Sequence, residues 1–148
     1  PNLHLFPESF LHGDLYFGNI ISSSRQEIFK LIDPRGFFGK MNSTGSQIYE
    51  WAKIGQSLFL DFDSLERGSF DHFQHGDRVF VSLGEDVPSE GMSTLRQWFL
   101  ETCPSPLDAI NLSALQMIAS SPLHKEEGVS HLGLIAKGFT YLSGKSSL

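Results

Sequence analysis

Residues 11–21 read LHGDLYFGNII and residues 28–36 read IFKLIDPRG, with the polar segment SSSRQE between them. Two short runs rich in β-branched and aromatic residues around a polar turn predict a β-hairpin over residues 19–33. This hairpin would place Asn19, at the start of its first strand, beside Asp33, at the end of its second. Asp14 precedes Asn19 by five positions in the same tight loop. One amide and two carboxylates are therefore expected to meet there.

These three side chains match the chemistry of phosphoryl transfer. A carboxylate such as Asp14 that accepts the proton of a substrate hydroxyl makes the hydroxyl oxygen a better nucleophile. Mg²⁺ prefers oxygen ligands and is usually held by one or two carboxylates together with phosphate oxygens and water. Asn19 offers a neutral carbonyl oxygen and Asp33 a charged carboxylate. The pattern predicts that Asp14 orients a hydroxyl while Asn19 and Asp33 hold Mg²⁺.

A second copy of the tripeptide His-Gly-Asp, at residues 75–77, serves as an internal comparison. The position five after Asp77 is Ser82 rather than Asn, and no apolar run ending in Asp follows it at the matching distance. We interpret this copy as a loop feature. Asp before Pro and Asn beside Gly often do no more than form turns, but the joint pattern around Asp14 favours a functional site.

The first copy, with His12, Asp14, Asn19 and the ending Ile32-Asp33, resembles the catalytic and metal-binding loops of the aminoglycoside phosphotransferase and choline kinase family. The resemblance covers about residues 9–60. It implies a protein-kinase-like fold, ATP and Mg²⁺ as cofactors, and transfer of the γ-phosphate to a hydroxyl of a small molecule. It also implies that Asp14 is the catalytic base, that His12 braces the catalytic loop, and that Asn19 and Asp33 bind the metal and its nucleotide.

The ending Asp33-Pro34-Arg35-Gly36 and residues 49–54 are most similar to the branch of this family found near sugar, capsule or lipopolysaccharide biosynthesis. A kinase of this type has two lobes, and the small lobe carries a phosphate-covering loop and a strand lysine. This chain reaches its catalytic loop by residue 12. We therefore expect residues 1–148 to form a single domain, the C-terminal lobe, with the N-terminal nucleotide lobe missing and little activity alone.

Length and composition predict one globular domain. The chain has 148 residues, of which 40% are hydrophobic and 12% aromatic, and this is enough for a real core. A net charge of −6 argues against a basic nucleic-acid-binding stripe. The single Cys103 excludes an internal disulfide and favours a reducing compartment, and no signal peptide or membrane-length apolar run occurs. We expect a cytoplasmic protein that binds neither nucleic acid nor membrane.

The apolar periodicity predicts an α+β fold, mostly α, in which the small hairpin carrying the metal site lies on a helical body. A first strand or loop and the catalytic loop occupy residues 1–18, and a Gly- and Ser-rich loop occupies residues 34–45. Residues 64–88 are polar and turn-rich, with a brief strand at 79–83. Helices are expected over residues 47–63, 89–103, 105–120 and 127–143. In the second and last of these helices, the residues predicted to face inward are Met92, Leu95, Trp98, Phe99, Leu100, Val129, Leu132, Ile135, Phe139 and Leu142.

Five further residues are candidate substrate contacts. In related folds, insertions such as residues 64–88 shape the acceptor pocket, and four of the five lie there: His72, His75, Asp77 and Arg78. A solvated surface loop is nevertheless the commoner role of such a stretch. The fifth, Arg35, would steady the Asp33 loop, meet an anionic acceptor or form a surface ion pair of little energetic weight.

The sequence thus predicts the C-terminal lobe of an ATP-dependent phosphotransferase whose acceptor is a small sugar, aminoglycoside or amino alcohol. Its expected partners are this acceptor, a nucleotide and the missing lobe. Two alternatives stay open: a kinase-like binding or regulatory module without turnover, and a metal-dependent hydrolase that uses Asp14 and Asp33. The presence of Asp14, Asn19 and Asp33 together favours an enzyme over the binding module.

Overall fold

The computed structural model describes residues 6–23, 25, 28–35, 43–82, 89–123 and 130–144. The chain is α+β and mostly helical, with small antiparallel sheets, as predicted. Its strands are β1 (Glu8–Phe10), β2 (Ile20–Ser23), β3 (Ile28–Leu31), β4 (Thr44–Ser46), β5 (Asp71–His75) and β6 (Arg78–Ser82). Its helices are α1 (Ile48–Phe59), α2 (Phe62–Glu66), α3 (Glu90–Thr102), α4 (Pro106–Ser120) and α5 (Ser130–Leu142), and a 3₁₀ turn spans Phe17–Asn19.

The predicted hairpin is formed by β2 and β3, which pair antiparallel with Ile20 opposite Leu31. The pairing extends one step past the strands, because the Ile32 N–H donates to the Asn19 carbonyl oxygen at 3.0 Å. The hairpin prediction is therefore confirmed. Its register sets Asp33 immediately after the residue that faces Asn19.

The first strand, β1, pairs antiparallel with β4, and Ser9 lies opposite Gly45. The prediction of a loop over residues 34–45 is wrong at its C-terminal end, and residues 36–42 lie outside the described residues. Thr44-Gly45-Ser46 has the composition of a turn, but the glycine has a packing role. A Cβ at position 45 would lie 2.9 Å from Cδ1 of Leu11, and Leu11 is fully buried.

The predicted helix over residues 47–63 is wrong in extent, because α1 ends at Phe59 and α2 begins at Phe62. Between them Asp61 adopts the left-handed conformation, with φ of 53°. Leu60, Phe62 and Leu65 are all buried in one apolar cluster. In a straight helix the side chains of Leu60 and Phe62 would point to different sides, since residues two positions apart do not share a face. The break lets both residues reach the core.

Residues 64–88 contain a second hairpin, of which only one strand was predicted. β5 pairs antiparallel with β6, with His72 opposite Val81 and a turn at Gly76 and Asp77. Gly76 has φ of 62°, a conformation that glycine adopts without strain. β5 was missed because its sequence, DHFQH, has no buried face: all five residues are exposed. The predicted strand at 79–83 is confirmed for residues 79–82, and residue 83 lies outside the described part.

The helices pack around two adjoining apolar clusters. The first joins α1, α3 and α4 through buried residues that include Ile48, Phe99 and Ile110. The second joins α2, α4 and α5 through residues that include Phe62, Met117 and Leu134. These clusters fix the position of α1, which lies directly behind the His12–Asn19 loop.

Helix α3 has the predicted bounds to within one residue, and its N-cap Ser89 accepts a hydrogen bond from the Met92 N–H at 3.2 Å. Its inward face is narrower than predicted. Phe99 is buried, but three residues predicted to face inward are exposed: Leu95, Trp98 and Leu100. The least exposed side chains of α3 and its C-terminal cap form a stripe at positions 92, 96, 99 and 103. Beside this stripe, Trp98 contacts Trp51, with ring centroids 5.6 Å apart, and still reaches solvent.

Helix α4 carries Pro106 in its first turn, and the side chain of the preceding Ser105 makes no capping hydrogen bond. The Ser105 hydroxyl instead donates to the Asp108 carboxylate at 2.9 Å. In α5 the fully buried side chain is Leu134, whereas Phe139 and Leu142, predicted to face inward, are exposed. Residues 127–129 of the predicted helix, including Val129, lie outside the described residues. Within the described ranges, no helix combines the length and apolar character that crossing a membrane requires.

Candidate active site

The loop from His12 to Asn19 holds Asp14 and Asn19 against each other. Gly13 has φ of 83°, so the loop turns sharply one residue before Asp14. The buried Asn19 side chain donates from Nδ2 to the Asp14 backbone carbonyl oxygen at 2.8 Å and lies 3.5 Å from Asp14 Oδ2. These contacts engage the nitrogen of the amide. The other functional atom of Asn19 is its carbonyl oxygen, the type of ligand expected for Mg²⁺.

Asp33 lies between two backbone hydrogen bonds that attach its segment to this loop. Ile32 donates to Asn19, as described above, and the Arg35 N–H donates to the His12 carbonyl oxygen at 2.8 Å. Asp33 is exposed and adopts φ of 54°. Non-glycine residues in this conformation are uncommon, and Asp is among the few that tolerate it. Such backbone conformations are found preferentially at functional sites, where the surrounding structure holds them in place.

One face of α1 holds the loop through three polar side chains at helical spacing. The Gly13 N–H donates to Glu50 Oε1 at 2.7 Å. Lys53 Nζ lies 2.9 Å from Asp14 Oδ1. The Phe17 N–H donates to Ser57 Oγ at 3.0 Å. Because positions three and four apart in a helix lie on the same side, one rigid element determines where Asp14 stands.

Glu50 is a half-buried carboxylate directly beneath the loop. Burial raises the pKa of Glu50 above its usual value, and the hydrogen bond from Gly13 opposes that effect. Its second oxygen, Oε2, is shielded from solvent and has no hydrogen-bond partner among the described residues. The Gly13 contact thus requires a hydrogen-bond acceptor at this position.

The Lys53 side chain is almost fully buried, and its ammonium pairs with Asp14. Arg35 adds a second cation, with Nη2 3.9 Å from the same Asp14 Oδ1. The two Asp14 oxygens therefore have different surroundings. Oδ1 faces cations, while Oδ2 has only the long contact with Asn19 among the described hydrogen bonds. Oδ2 is the atom suited to accept a proton from a substrate.

His12 contributes to the loop through its backbone. Its carbonyl oxygen accepts from Arg35, whereas neither ring nitrogen has a hydrogen-bond partner within the described ranges, although both are shielded from solvent. His12 was expected to brace the loop. Here the His12 carbonyl oxygen, which accepts from Arg35, and the Glu50 carboxylate, which accepts from Gly13, hold the loop in place.

A cavity of about 220 Å³ opens beside Asp14. Its wall is built from the loop, from α1 and α2, and from the end of α4; the lining residues are Asp14, Tyr16, Arg35, Lys53, Phe62, Glu66, Ser120 and Leu123. Tyr16 and Phe62 meet edge to face, with ring centroids 5.1 Å apart. Burial, together with the nearby Glu66 carboxylate, raises the pKa of Tyr16 to about 12, so its hydroxyl remains a donor at neutral pH.

The site suits a Mg²⁺ ion that takes few of its ligands from the protein and most of them from phosphate oxygens and water. Among the described residues, no group of three or more His, Cys, Asp or Glu side chains is placed to hold a metal ion. Mg²⁺ takes one or two protein carboxylates and completes its shell with phosphate oxygens and water. The Asn19 amide oxygen and the exposed Asp33 carboxylate are donors of that type.

The chain was compared with models of known protein families, with curated protein sequences and with solved structures. None of the three comparisons gives a match. The resemblance carried by residues 9–60 therefore stays a prediction.

The four candidate substrate contacts in the insertion lie elsewhere. His72 and His75 are on β5, Asp77 is in the turn, and Arg78 begins β6; all four are exposed. Among the described residues that line the Asp14 cavity, none belongs to this hairpin. Arg35 does line that cavity, so it is the candidate that the structure brings next to Asp14.

The residues on α1 and α2 that complete the site were not predicted. A signal was present: Glu50, Lys53 and Ser57 place polar groups in a helix whose buried positions also include the apolar Ile48, Ala52 and Leu58. A lysine between Ala52 and Ile54 on such a face requires a buried partner. The identity of that partner, Asp14, depends on a contact across 39 residues of chain and could not be read from the helix alone.

Proposed function

We propose that this chain is the C-terminal, protein-kinase-like lobe of an ATP-dependent phosphotransferase that transfers the γ-phosphate to a hydroxyl of a small molecule. One observation carries the proposal. Asp14, Asn19 and the strand end that bears Asp33 are joined by two hydrogen bonds, from Asn19 Nδ2 to the Asp14 carbonyl and from Ile32 N–H to the Asn19 carbonyl. A candidate base and two candidate metal ligands thus belong to one rigid unit.

In this proposal Asp14 Oδ2 accepts first the hydrogen bond and then the proton of the acceptor hydroxyl. The acceptor oxygen bonds to the γ-phosphorus as the bond from phosphorus to the bridging oxygen breaks, and ADP leaves. Lys53 holds the other oxygen of Asp14, so the carboxylate keeps one orientation. Asn19 and Asp33 would hold Mg²⁺, which when bound neutralises charge on the phosphates.

Magnesium-dependent ATP turnover by the longest natural form of the protein tests the proposal. Asp14→Asn removes the base but keeps an oxygen that can accept a hydrogen bond from the buried Lys53 ammonium. Asp33→Asn removes the charged metal ligand. Asp71→Asn, an exposed carboxylate on β5, is the matched control. We expect both site variants to lose at least about a hundredfold in kcat, the scale of a positioned acid–base group, and the control to retain the parent rate.

Equal rates in the parent and both site variants would refute the assignment of the site. No turnover in the parent, together with Mg²⁺-dependent nucleotide binding that Asp33→Asn abolishes, would favour the alternative of a binding or regulatory module. Turnover of ATP to ADP and phosphate that no acceptor accelerates would favour the hydrolase.

A further inference from the structure

We propose that the cavity beside Asp14 is the acceptor subsite and that its wall selects a small, neutral, hydroxyl-rich molecule over a cationic one. This inference rests on the proposed function, since Asp14 is taken as the base. It narrows the acceptor from sugars, aminoglycosides and amino alcohols to the uncharged class. The size, the charge and the hydrogen-bonding groups of the cavity support it separately.

The size of the cavity limits the acceptor. At about 220 Å³ it lies below the range of about 300–1,000 Å³ that holds drug-sized ligands. Asp14 forms part of the wall, so a hydroxyl of any molecule in the cavity lies near the proposed base. A single ring with its substituents suits this space, whereas an acceptor built of several rings extends beyond it.

The charge of the wall opposes a cation. Lys53 and Arg35 both lie within 3.9 Å of Asp14 Oδ1. The side chain of Lys53, on α1, is buried, so it has little room to move away from the cavity. The two carboxylates of the wall are already engaged: Asp14 pairs with Lys53, and Glu66 accepts from the Tyr16 hydroxyl at 3.4 Å. A cationic acceptor whose hydroxyl reaches Asp14 would bring its charge close to the buried Lys53 and the half-exposed Arg35, and like charges at this range raise its free energy of binding.

The polar groups of the wall suit hydroxyls. Lys53 and Arg35 donate and the carboxylates accept. The Tyr16 and Ser120 hydroxyls already donate to Glu66 and to the Met117 carbonyl oxygen, so each offers its oxygen as an acceptor. A hydroxyl of the acceptor also donates and accepts, so a molecule carrying several of them can satisfy neighbours of both kinds. Phe62 and Leu123 supply apolar surface between these groups, against which the carbon skeleton of a ring can pack.

Direct binding measured by saturation-transfer NMR tests the inference without any need for turnover. The neutral probes are glucose, mannose, galactose, N-acetylglucosamine and inositol, and the cationic probes are choline and kanamycin. Leu123→Trp narrows the cavity at an exposed position, and Leu107→Trp is the matched control, because Leu107 is similarly exposed on α4 but does not line the cavity. Arg35→Glu reverses one charge of the wall at a position that water reaches.

We expect at least one neutral probe to bind saturably and both cations to bind at least tenfold more weakly. Leu123→Trp should weaken binding of the neutral probe at least tenfold, Leu107→Trp should leave it unchanged, and Arg35→Glu should tighten choline binding severalfold. Tighter binding of a cation to the parent, no binding of any neutral probe, or an unaffected Leu123→Trp variant would each overturn the inference. Binding with this pattern but without ATP turnover would reject the proposed function while keeping the cavity as a ligand site. ATP turnover that is unchanged in Leu123→Trp would instead keep the proposed function and reject the cavity as the acceptor subsite.

Discussion

The ammonium of Lys53 lies 2.9 Å from Oδ1 of Asp14, and the two side chains differ in their access to water: 5% of Lys53 and 24% of Asp14 are exposed. This difference makes the pair asymmetric. A lysine left without its partner in the body of α1 keeps an uncompensated buried charge. A carboxylate left without Lys53 still meets water and Arg35.

We therefore expect Asp14→Leu to destabilise the protein more than Lys53→Met. Removing one partner of a buried pair costs about 3–5 kcal/mol when the other charge stays buried, and Asp14→Leu fits that case. Lys53→Met should cost clearly less, because the Asp14 carboxylate is partly exposed to water and keeps Arg35 as a second cation. Urea unfolding of both variants and of the double variant measures the difference. Equal losses, or a larger loss for Lys53→Met, would contradict the burial argument.

Glu50 should be required as a hydrogen-bond acceptor rather than as a charge. Glu50→Ala leaves the buried Gly13 N–H without a partner, which costs about 1–3 kcal/mol, and it releases the loop that carries Asp14. Glu50→Gln keeps an oxygen for Gly13, so its loss of stability should be below about 1 kcal/mol. Unfolding free energies at neutral pH distinguish the two variants, and an equal loss in both would mean that the charge matters most.

The same residue gives a pH dependence with a definite sign. The folded-state pKa of Glu50 is raised above its usual value of 4.5 because the side chain is partly buried. The folded state therefore binds the proton more tightly than the unfolded state, and stability falls as pH rises through that window. The stabilising contribution is complete below the usual pKa and is lost above the raised folded-state pKa. Glu50→Gln should abolish this component, so the stability of the variant relative to the parent should increase as pH rises through the window.

The contrast between the two hairpins shows which features the sequence could predict. The β2–β3 hairpin, with Asn19 just before its first strand and Asp33 just after its second, follows from a pattern within one short stretch, and that hairpin was predicted correctly. β5 was missed because an exposed polar strand has no periodicity to detect. The contacts of Glu50, Lys53 and Ser57 with the loop join segments about forty residues apart in the sequence. Secondary-structure propensity and hydrophobic periodicity describe local stretches of chain, so they do not predict which distant segments meet.

The break between α1 and α2 is a second feature that only tertiary packing explains, and it can be tested at Asp61. A left-handed conformation costs an ordinary L-residue about 1–2 kcal/mol, and Asn and Asp tolerate it better than Ala. Asp61 also pairs with Lys137, so the comparison is best made in a Lys137→Met background, where no ammonium requires a partner. There Asp61→Ala should be less stable than Asp61→Asn by about 1–2 kcal/mol. Equal stabilities would mean that the backbone at residue 61 relaxes without cost.

Close packing between α4 and α5 gives the sharpest steric prediction. A Cβ added at Gly138 would lie 2.7 Å from Ile118 Cγ1 and 2.9 Å from the Ala114 carbonyl oxygen, a backbone atom that cannot rotate away. Gly138→Ala should therefore destabilise the protein by about 1–3 kcal/mol, the usual cost of overpacking.

Gly91 in α3 is the matched control, because a Cβ there meets no atom within 4 Å. Gly91→Ala should be neutral or stabilising by up to about 1 kcal/mol, since alanine is the better helix former. Urea unfolding of the two variants should show opposite shifts or a shift in Gly138→Ala alone; a loss of similar size in both would mean that α5 does not pack this closely on α4.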